Sequence, residues 1–351
     1  MNRAGKGVMK SGGFRGWHDI NIYFSLSDNG INCNININGN EWWPLKLILQ
    51  GGFFMKIKVI ANKTWEADPM ISAMLNPKFK PDGLPYPVVI NQPRLYSQGS
   101  VHMPRLVYEI NNHTVEVWCI EDQMNPAVSG SSTLEKIRIL PDIINNYDET
   151  IDLVIAFGTA GHPEPDNIGS VSTGSYFFIH DGNDPSNPNP WNGCIGDQYY
   201  MSQVLHRDMP DDLMSLFTIF DPAELSKKFL APPLHPSTNP QVLIKDTYMA
   251  VSDVNIIDYD CYNTEDLKAI AEAKKCAPEY PIGSVETTHG VIVANTFYYT
   301  QAPVVFVSAL TDQVGHFNDE VDPKPEAQNF SAAFNGGIYM ANILANLAGI
   351  S

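Results

Sequence analysis

Two apolar runs constrain this chain more than any other feature. Residues 151–157 read IDLVIAF and residues 302–310 read APVVFVSAL, so a strand made from either presents hydrocarbon to both sides of a sheet. Such strands sit in parallel sheets covered on both faces by helices. Segments of helical character supply that cover: STLEKIRILPDIINN (132–146), NTEDLKAIAEAKKCA (263–277) and AQNFSAAFNGGIYMANILANLA (327–348). Ser132 and Glu135 have capping-box spacing, Asn263 is placed to cap the second helix, and Gly336-Gly337 is a weak point in the third. MKIKVIA (55–61) and VEVWCI (115–120) read as further strands, and VLIKDTYMAVSDVNII as two short ones. The alternation predicts an α/β domain. GTAGHPEP, residues 158–165, follows the first apolar run as a Gly-rich turn, at the strand end where open α/β sheets bind ligands. Residues 182–246 are rich in Pro, Asn and Asp, and read as loops around helical segments at QYYMSQVLHRDM and DDLMSLF.

Residues 1–54 read differently. INCNININGNEWW alternates Ile and Asn with period two, a strand pattern whose polar face is almost all Asn and which has no evident partner nearby. Gln50-Gly51-Gly52 can be encoded by CAAGGAGGT, a purine-rich ribosome-binding sequence, with Phe53-Phe54 as spacer before an ATG. The expectation is therefore a natural start at Met55: residues 1–54 are a non-native or disordered extension, and 55–351 are the domain. A genuine N-terminal extension is the other reading.

A formal net charge of −17 over 351 residues opposes nucleic-acid polymers and anionic membrane surfaces as partners. No run approaches the roughly 20 apolar residues that span a bilayer. The basic N-terminus lacks the apolar core of a secretory signal. Five scattered cysteines without a CxxC pair fit free thiols in a reducing cytoplasm.

Four stretches taken in order carry a resemblance: MKIKVIANKTWE, VIAFGTAG, GSVETTHGVIVAN and VVFVSALTD. Together they resemble the nucleoside phosphorylase/nucleosidase superfamily over roughly residues 55–351. The resemblance implies a three-layer α/β/α sandwich with a mixed, twisted central sheet, assembled as a homo-oligomer. It also implies a small-molecule nucleoside as ligand, without a cofactor or metal. Counted from Met55, Glu66 falls where the family's nucleosidases carry the glutamate that activates water; the alternative is a loop acid before Asp68-Pro69. Thr311-Asp312 matches the family's Ser/Thr-Asp pair, whose acid protonates a purine leaving group. Cleaving a ribosyl C–N bond leaves negative charge on the base, and a buried carboxylic acid can neutralise it. Gly158, Thr159, Ala160 and Gly161 match the family's substrate-binding Gly-Ser/Thr-Ala/Cys-Gly turn. Glu286 matches the glutamate that accepts hydrogen bonds from ribose hydroxyls, with Thr288 or His289 as alternatives because the family's methionine is absent. For His289 itself, a satisfied structural histidine is the expectation. Asn255 stands where the family stacks an aromatic on the base, which leaves purine specificity open. NPAVSGSS replaces the family's glycine-rich turn before the second helix.

Phosphorolysis needs bidentate arginines for a dianion. Ala156-Phe157 stands where many family phosphorylases carry an Arg, and only Arg94, Arg105, Arg138 and Arg207 follow Met55. Hydrolysis is therefore the expected reaction. A phosphorylase, or a silent nucleoside-binding protein on the same fold, is the alternative. GSVSTGS misses the spacing of a serine-hydrolase elbow. The histidines, His162, His180, His206, His235 and His316 among them, show no metal-ligand spacing.

Overall fold

The computed structural model describes residues 54–85, 87–90, 103–124, 133–144, 150–181, 197–218, 220–254, 262–316 and 326–350, and the strand paths 20–27, 30–37 and 42–45. The chain divides into two compact units, Met1–Phe53 and Phe54–Ser351. In the first, β1 (Ile20–Ser27), β2 (Gly30–Ile37) and β3 (Trp42–Leu45) form an antiparallel meander. The Ile/Asn strand thus has partners on both sides, and its pattern repeats across the pair: Ile22 lies opposite Ile35 and Asn21 opposite Asn36. Like against like on each face is what a period-two register produces.

The second unit follows the α/β alternation. It opens with β4 (Lys56–Ala61), α1 (Thr64–Met74), β5 (Val88–Val89), β6 (Leu106–Ile110), β7 (His113–Cys119) and α2 (Thr133–Ile144). Next come β8 (Leu153–His162), β9 (Val171–Gly174), β10 (Tyr176–His180), β11 (Gln203–Leu205), α3 (Asp211–Leu216) and α4 (Pro222–Ser226). It closes with β12 (Val242–Ile244), β13 (Met249–Asp253), α5 (Tyr262–Cys276), β14 (Ile282–Val285), α6 (Thr287–Tyr299), β15 (Val304–Gln313) and α7 (Glu326–Ala345). The strands form one mixed sheet in the order β11-β10-β13-β14-β8-β4-β7-β6-β5, with β15 also paired to β8 and carrying β9 and then β12. β8 is parallel to both β4 and β15, and its far end meets β14 antiparallel at Gly161 and Val285.

The apolar runs explain the layering. Leu153, Ile155 and Phe157 of β8 pack toward one core with α1 and α7, as do Ile57 and Val59 of β4 and Val305 and Val307 of β15. The alternate residues Val154, Ala156, Ile60, Val304 and Phe306 join a second core with α2 and α6. Each such side chain, fully buried, contributes about 1.5–3 kcal/mol. A third cluster packs α5 against β10, β13 and β14. The result is the expected three-layer α/β/α arrangement around a mixed sheet.

Four local expectations change. GTAG is strand rather than turn, because β8 continues to His162 with β15 beside it through the pair Gln313–His162. The stretch at 198–209 holds the edge strand β11, paired antiparallel to β10, where a helix was expected. Asn263 lies inside α5, which already starts at Tyr262, while Ser132 lies outside the described residues. Gly336-Gly337 is a point of close approach in α7: a Cβ at Gly337 would fall 2.3 Å from Met70 O of α1, and one at Gly336 2.6 Å from the Phe157 ring.

Candidate active site

The site assembles along β8, whose residues 158–161 reach the carboxyl edge of the sheet. Glu66 arrives from α1. Two residues after β4 ends, Lys63 opens the helix, and Glu66 at the third helical position turns its carboxylate back to accept the Lys63 N–H at 2.9 Å. Its other oxygen, Oε1, accepts both the N–H and the hydroxyl of Thr159 at 2.9 Å. Glu66 is therefore a helix residue rather than a loop acid, and it is buried. Burial first, and then the charge of Glu286, raise its pKa to about 7, against the opposing donors of Thr159 and Lys63. Burial thus poises it between its two protonation states near neutral pH.

Glu286 reaches the same place from the β14–α6 junction. It caps α6, its Oε2 accepting the His289 N–H at 2.6 Å. Its carboxyl is raised by burial, an effect opposed chiefly by the Lys136 ammonium. Lys136, buried in α2, donates to Thr288 Oγ1 at 2.8 Å. Burial lowers its pKa to about 8, against the pull of Glu286. Lys136 was not singled out from the sequence, although a signal exists: it precedes the buried Leu140 and Ile143 by four and seven residues, so it is a charge on an apolar stripe. Thr288 thus meets both Lys136 and Glu286. His289 is fully buried, and its Nε2 has no hydrogen-bond partner among the described residues. The expectation of a satisfied histidine does not describe that nitrogen.

Asp312 comes from β15 on the other side of β8. It is 4 % exposed, and its Oδ1 accepts the Thr311 hydroxyl at 2.6 Å. A Cβ on Gly161 would lie 3.2 Å from Asp312 Oδ2. Glu66 and Asp312 therefore flank β8 at Thr159 and Gly161, about 7 Å apart along the strand. Asp266 of α5, also absent from the sequence reading, is pushed well above its usual value by burial and then by the charges of Asp312, Asp253 and Glu286. Ala160 is buried between these positions, its carbonyl accepting from Thr311 Oγ1 at 3.3 Å. Asn255 lies outside the described residues.

Among the described residues one metal-capable group occurs: His180, Asp253 and Glu265, whose ligand atoms lie within 4.8 Å of one another. It joins β10, β13 and α5, so no sequence spacing announces it. The described arginines are committed elsewhere. Arg105 is buried against Asp122 at 2.6 and 2.8 Å and also pairs with Asp68. Arg207 donates to the carbonyls of Phe297, Thr300 and Ala302 at the end of α6. Arg138 lies on the exposed side of α2, and Arg94 is outside the described residues. Among the described residues no helix is long and apolar enough to cross a membrane.

No protein-family model and no curated protein matches the chain. Solved structures do. A 5′-methylthioadenosine/S-adenosylhomocysteine nucleosidase from Neisseria meningitidis, in complex with methylthio-immucillin-A, is 17 % identical and aligns over 84 % of this chain and 100 % of its own, with a TM-score of 0.46. The corresponding nucleosidase from Colwellia psychrerythraea, in complex with adenine, is 14 % identical over 84 % and 96 %, with a TM-score of 0.45. A futalosine hydrolase mutant from Helicobacter pylori is 12 % identical over 83 % and 98 %, with a TM-score of 0.44.

Proposed function

We propose that the chain is a nucleosidase that hydrolyses the N-glycosidic bond of a purine nucleoside to free base and sugar. One observation carries the reading: a buried carboxyl poised near neutrality, Glu66, and a buried carboxyl in acidic company, Asp312, flank the same strand. Ionised Glu66 takes a proton from water as the water attacks C1′. Asp312 supplies a proton to the departing base. Each positioned acid or base contributes roughly 10²–10⁴-fold. Glu286 is the acceptor for the ribose hydroxyls, and Lys136 stabilises its charge. The carboxylates of Glu66 and Glu286 would repel a phosphate dianion, and the described arginines are engaged or turned outward, so water is the favoured nucleophile over phosphate.

The test is product analysis in phosphate-free buffer over a panel of nucleosides. Free ribose and free base are the expected products. A strict requirement for phosphate, with ribose 1-phosphate formed, would replace hydrolysis by phosphorolysis. Binding without cleavage would make the chain a silent nucleoside-binding protein. We further propose a cytoplasmic homo-oligomer, on the charge and cysteine content and the family resemblance.

A further inference from the structure

Toward the carboxyl ends of β10 and β13 the third core gives way to charge. Phe178 and Val251 are register partners on these adjacent parallel strands and pack in the cluster that includes α5. Two residues further on, His180 and Asp253 end the strands, again as partners, so they extend the same row on the same face. α5 matches them. Ala269 and Ala273 pack against the strands, and Glu265, four residues before Ala269, and Glu272, three after it, fall on that stripe.

His180 and Asp253 are buried, at 8 % and 0 % exposed, and Glu265 is partly buried. One ligand atom from each lies within 4.8 Å of the other two, so some point lies within about 2.8 Å of all three. Zinc bonds to imidazole nitrogen and carboxylate oxygen are about 2.0–2.2 Å, so each ligand has less than roughly 1 Å to close. His180 Nδ1 is held by Glu272 Oε2. A carboxylate behind one ring nitrogen is the usual support of a metal-bound histidine, and it leaves Nε2 for the ion. Glu265 Oε1 accepts from Lys268 Nζ at 2.5 Å, and its second oxygen is there for a ligand bond. Asp266 stands within electrostatic reach of Asp253, Glu265 and Asp312, so negative charge is concentrated here. A cation offsets the cost of gathering such groups out of water.

We propose that His180, Asp253 and Glu265 bind one divalent transition-metal ion, Zn²⁺ foremost, with Glu272 orienting the histidine. An imidazole in the set favours zinc over Mg²⁺ and Ca²⁺, which take oxygen ligands. The ion ties the first turn of α5 to the ends of β10 and β13. It uses none of Glu66, Glu286 or Asp312, and the inference stands apart from the nucleosidase reading.

The experiment titrates EDTA-stripped, dialysed protein with ZnCl₂ by calorimetry and records Tm with and without the ion. Wild type should bind one equivalent with a Kd of about 10 µM or tighter. Tm should rise by about 5 °C at a hundredfold excess over Kd. Glu265→Gln should weaken binding by at least about 100-fold and remove the Tm rise, and Glu272→Gln should weaken it about 10–100-fold. Cys276→Ser, which removes the exposed thiol of α5, should change neither quantity. X-ray absorption of the wild-type zinc complex, which depends on no variant folding, should show only nitrogen and oxygen at about 2.0–2.2 Å. Wild type that binds no Zn²⁺ below about 100 µM overturns the proposal. So does unchanged affinity in Glu265→Gln, affinity lost in Cys276→Ser, or a sulfur ligand at about 2.3 Å.

Discussion

Glu66 Oε1 accepts two hydrogen bonds from one residue, the backbone N–H and the hydroxyl of Thr159, each at 2.9 Å. The first half of the expected ligand-binding GTAG stretch thus holds the candidate base. The strand reaches the carboxylate because Glu66 is already folded back on its own helix terminus by Lys63 N–H. Base, helix start and strand end form one rigid unit, the kind of support a positioned catalytic group requires.

That unit stores an unfavourable charge, which gives a prediction about stability. Glu66 titrates at about 7 in the fold against 4.5 when unperturbed. Between those values the folded chain holds a proton that the unfolded chain has released, so stability falls as pH rises through this window and levels off above it. The shift corresponds to roughly 3 kcal/mol. Glu66→Gln should therefore raise Tm relative to wild type at pH 8 and give no gain at pH 4. An equal Tm difference at both pH values would contradict the assignment. In wild type, kcat should climb as pH rises through about 7, as the base ionises.

A second prediction concerns α7. A Cβ at position 337 would lie 2.3 Å from Met70 O and 2.7 Å from Ala73 Cβ. Both belong to α1, the helix that carries Glu66. Gly337→Ala should destabilise by about 1–3 kcal/mol, since backbone cannot give way as a flexible side chain can. Denaturant unfolding checks it. A stabilised variant, as simple helix propensity would give, would show that the two helices do not touch there.

The third prediction concerns the start of the domain. Residues 54–351 form a unit with its own cores, and Met55 is buried at its edge, its N–H donating to His113 Nδ1 at 3.1 Å. We propose that the domain needs nothing before Met55. A chain beginning there should express, fold and melt like the full one. A Tm lower by more than about 4 °C would show that residues 1–54 stabilise the domain by 1 kcal/mol or more.

Much of this was legible in the sequence, for identifiable reasons. The runs around Ile155 and Val307 announce a two-sided sheet because consecutive positions in them are apolar, and both strands are where that pattern places them. Glu66 and Asp312 were found because the stretches MKIKVIANKTWE and VVFVSALTD that carry them resemble the nucleoside phosphorylase/nucleosidase superfamily. Lys136 and Asp266 were not. Their meaning depends on partners in distant elements, Thr288 and Asp312, and local pattern carries no such pairing. GTAG misled because glycines that admit a neighbouring carboxylate and glycines that make a turn are the same letters. β11 was missed because an edge strand of three residues has too little periodicity to register.

The most direct test of the central claim is release of free base by wild type, Glu66→Gln and Asp312→Asn in phosphate-free buffer, with nucleoside binding followed alongside. Wild type should cleave. Each variant should keep binding while kcat falls by roughly 10²–10⁴-fold, because each removes a proton-transfer group and preserves shape. Near-normal turnover in both variants, on a nucleoside that wild type cleaves, would contradict the assignment of Glu66 and Asp312 as base and acid.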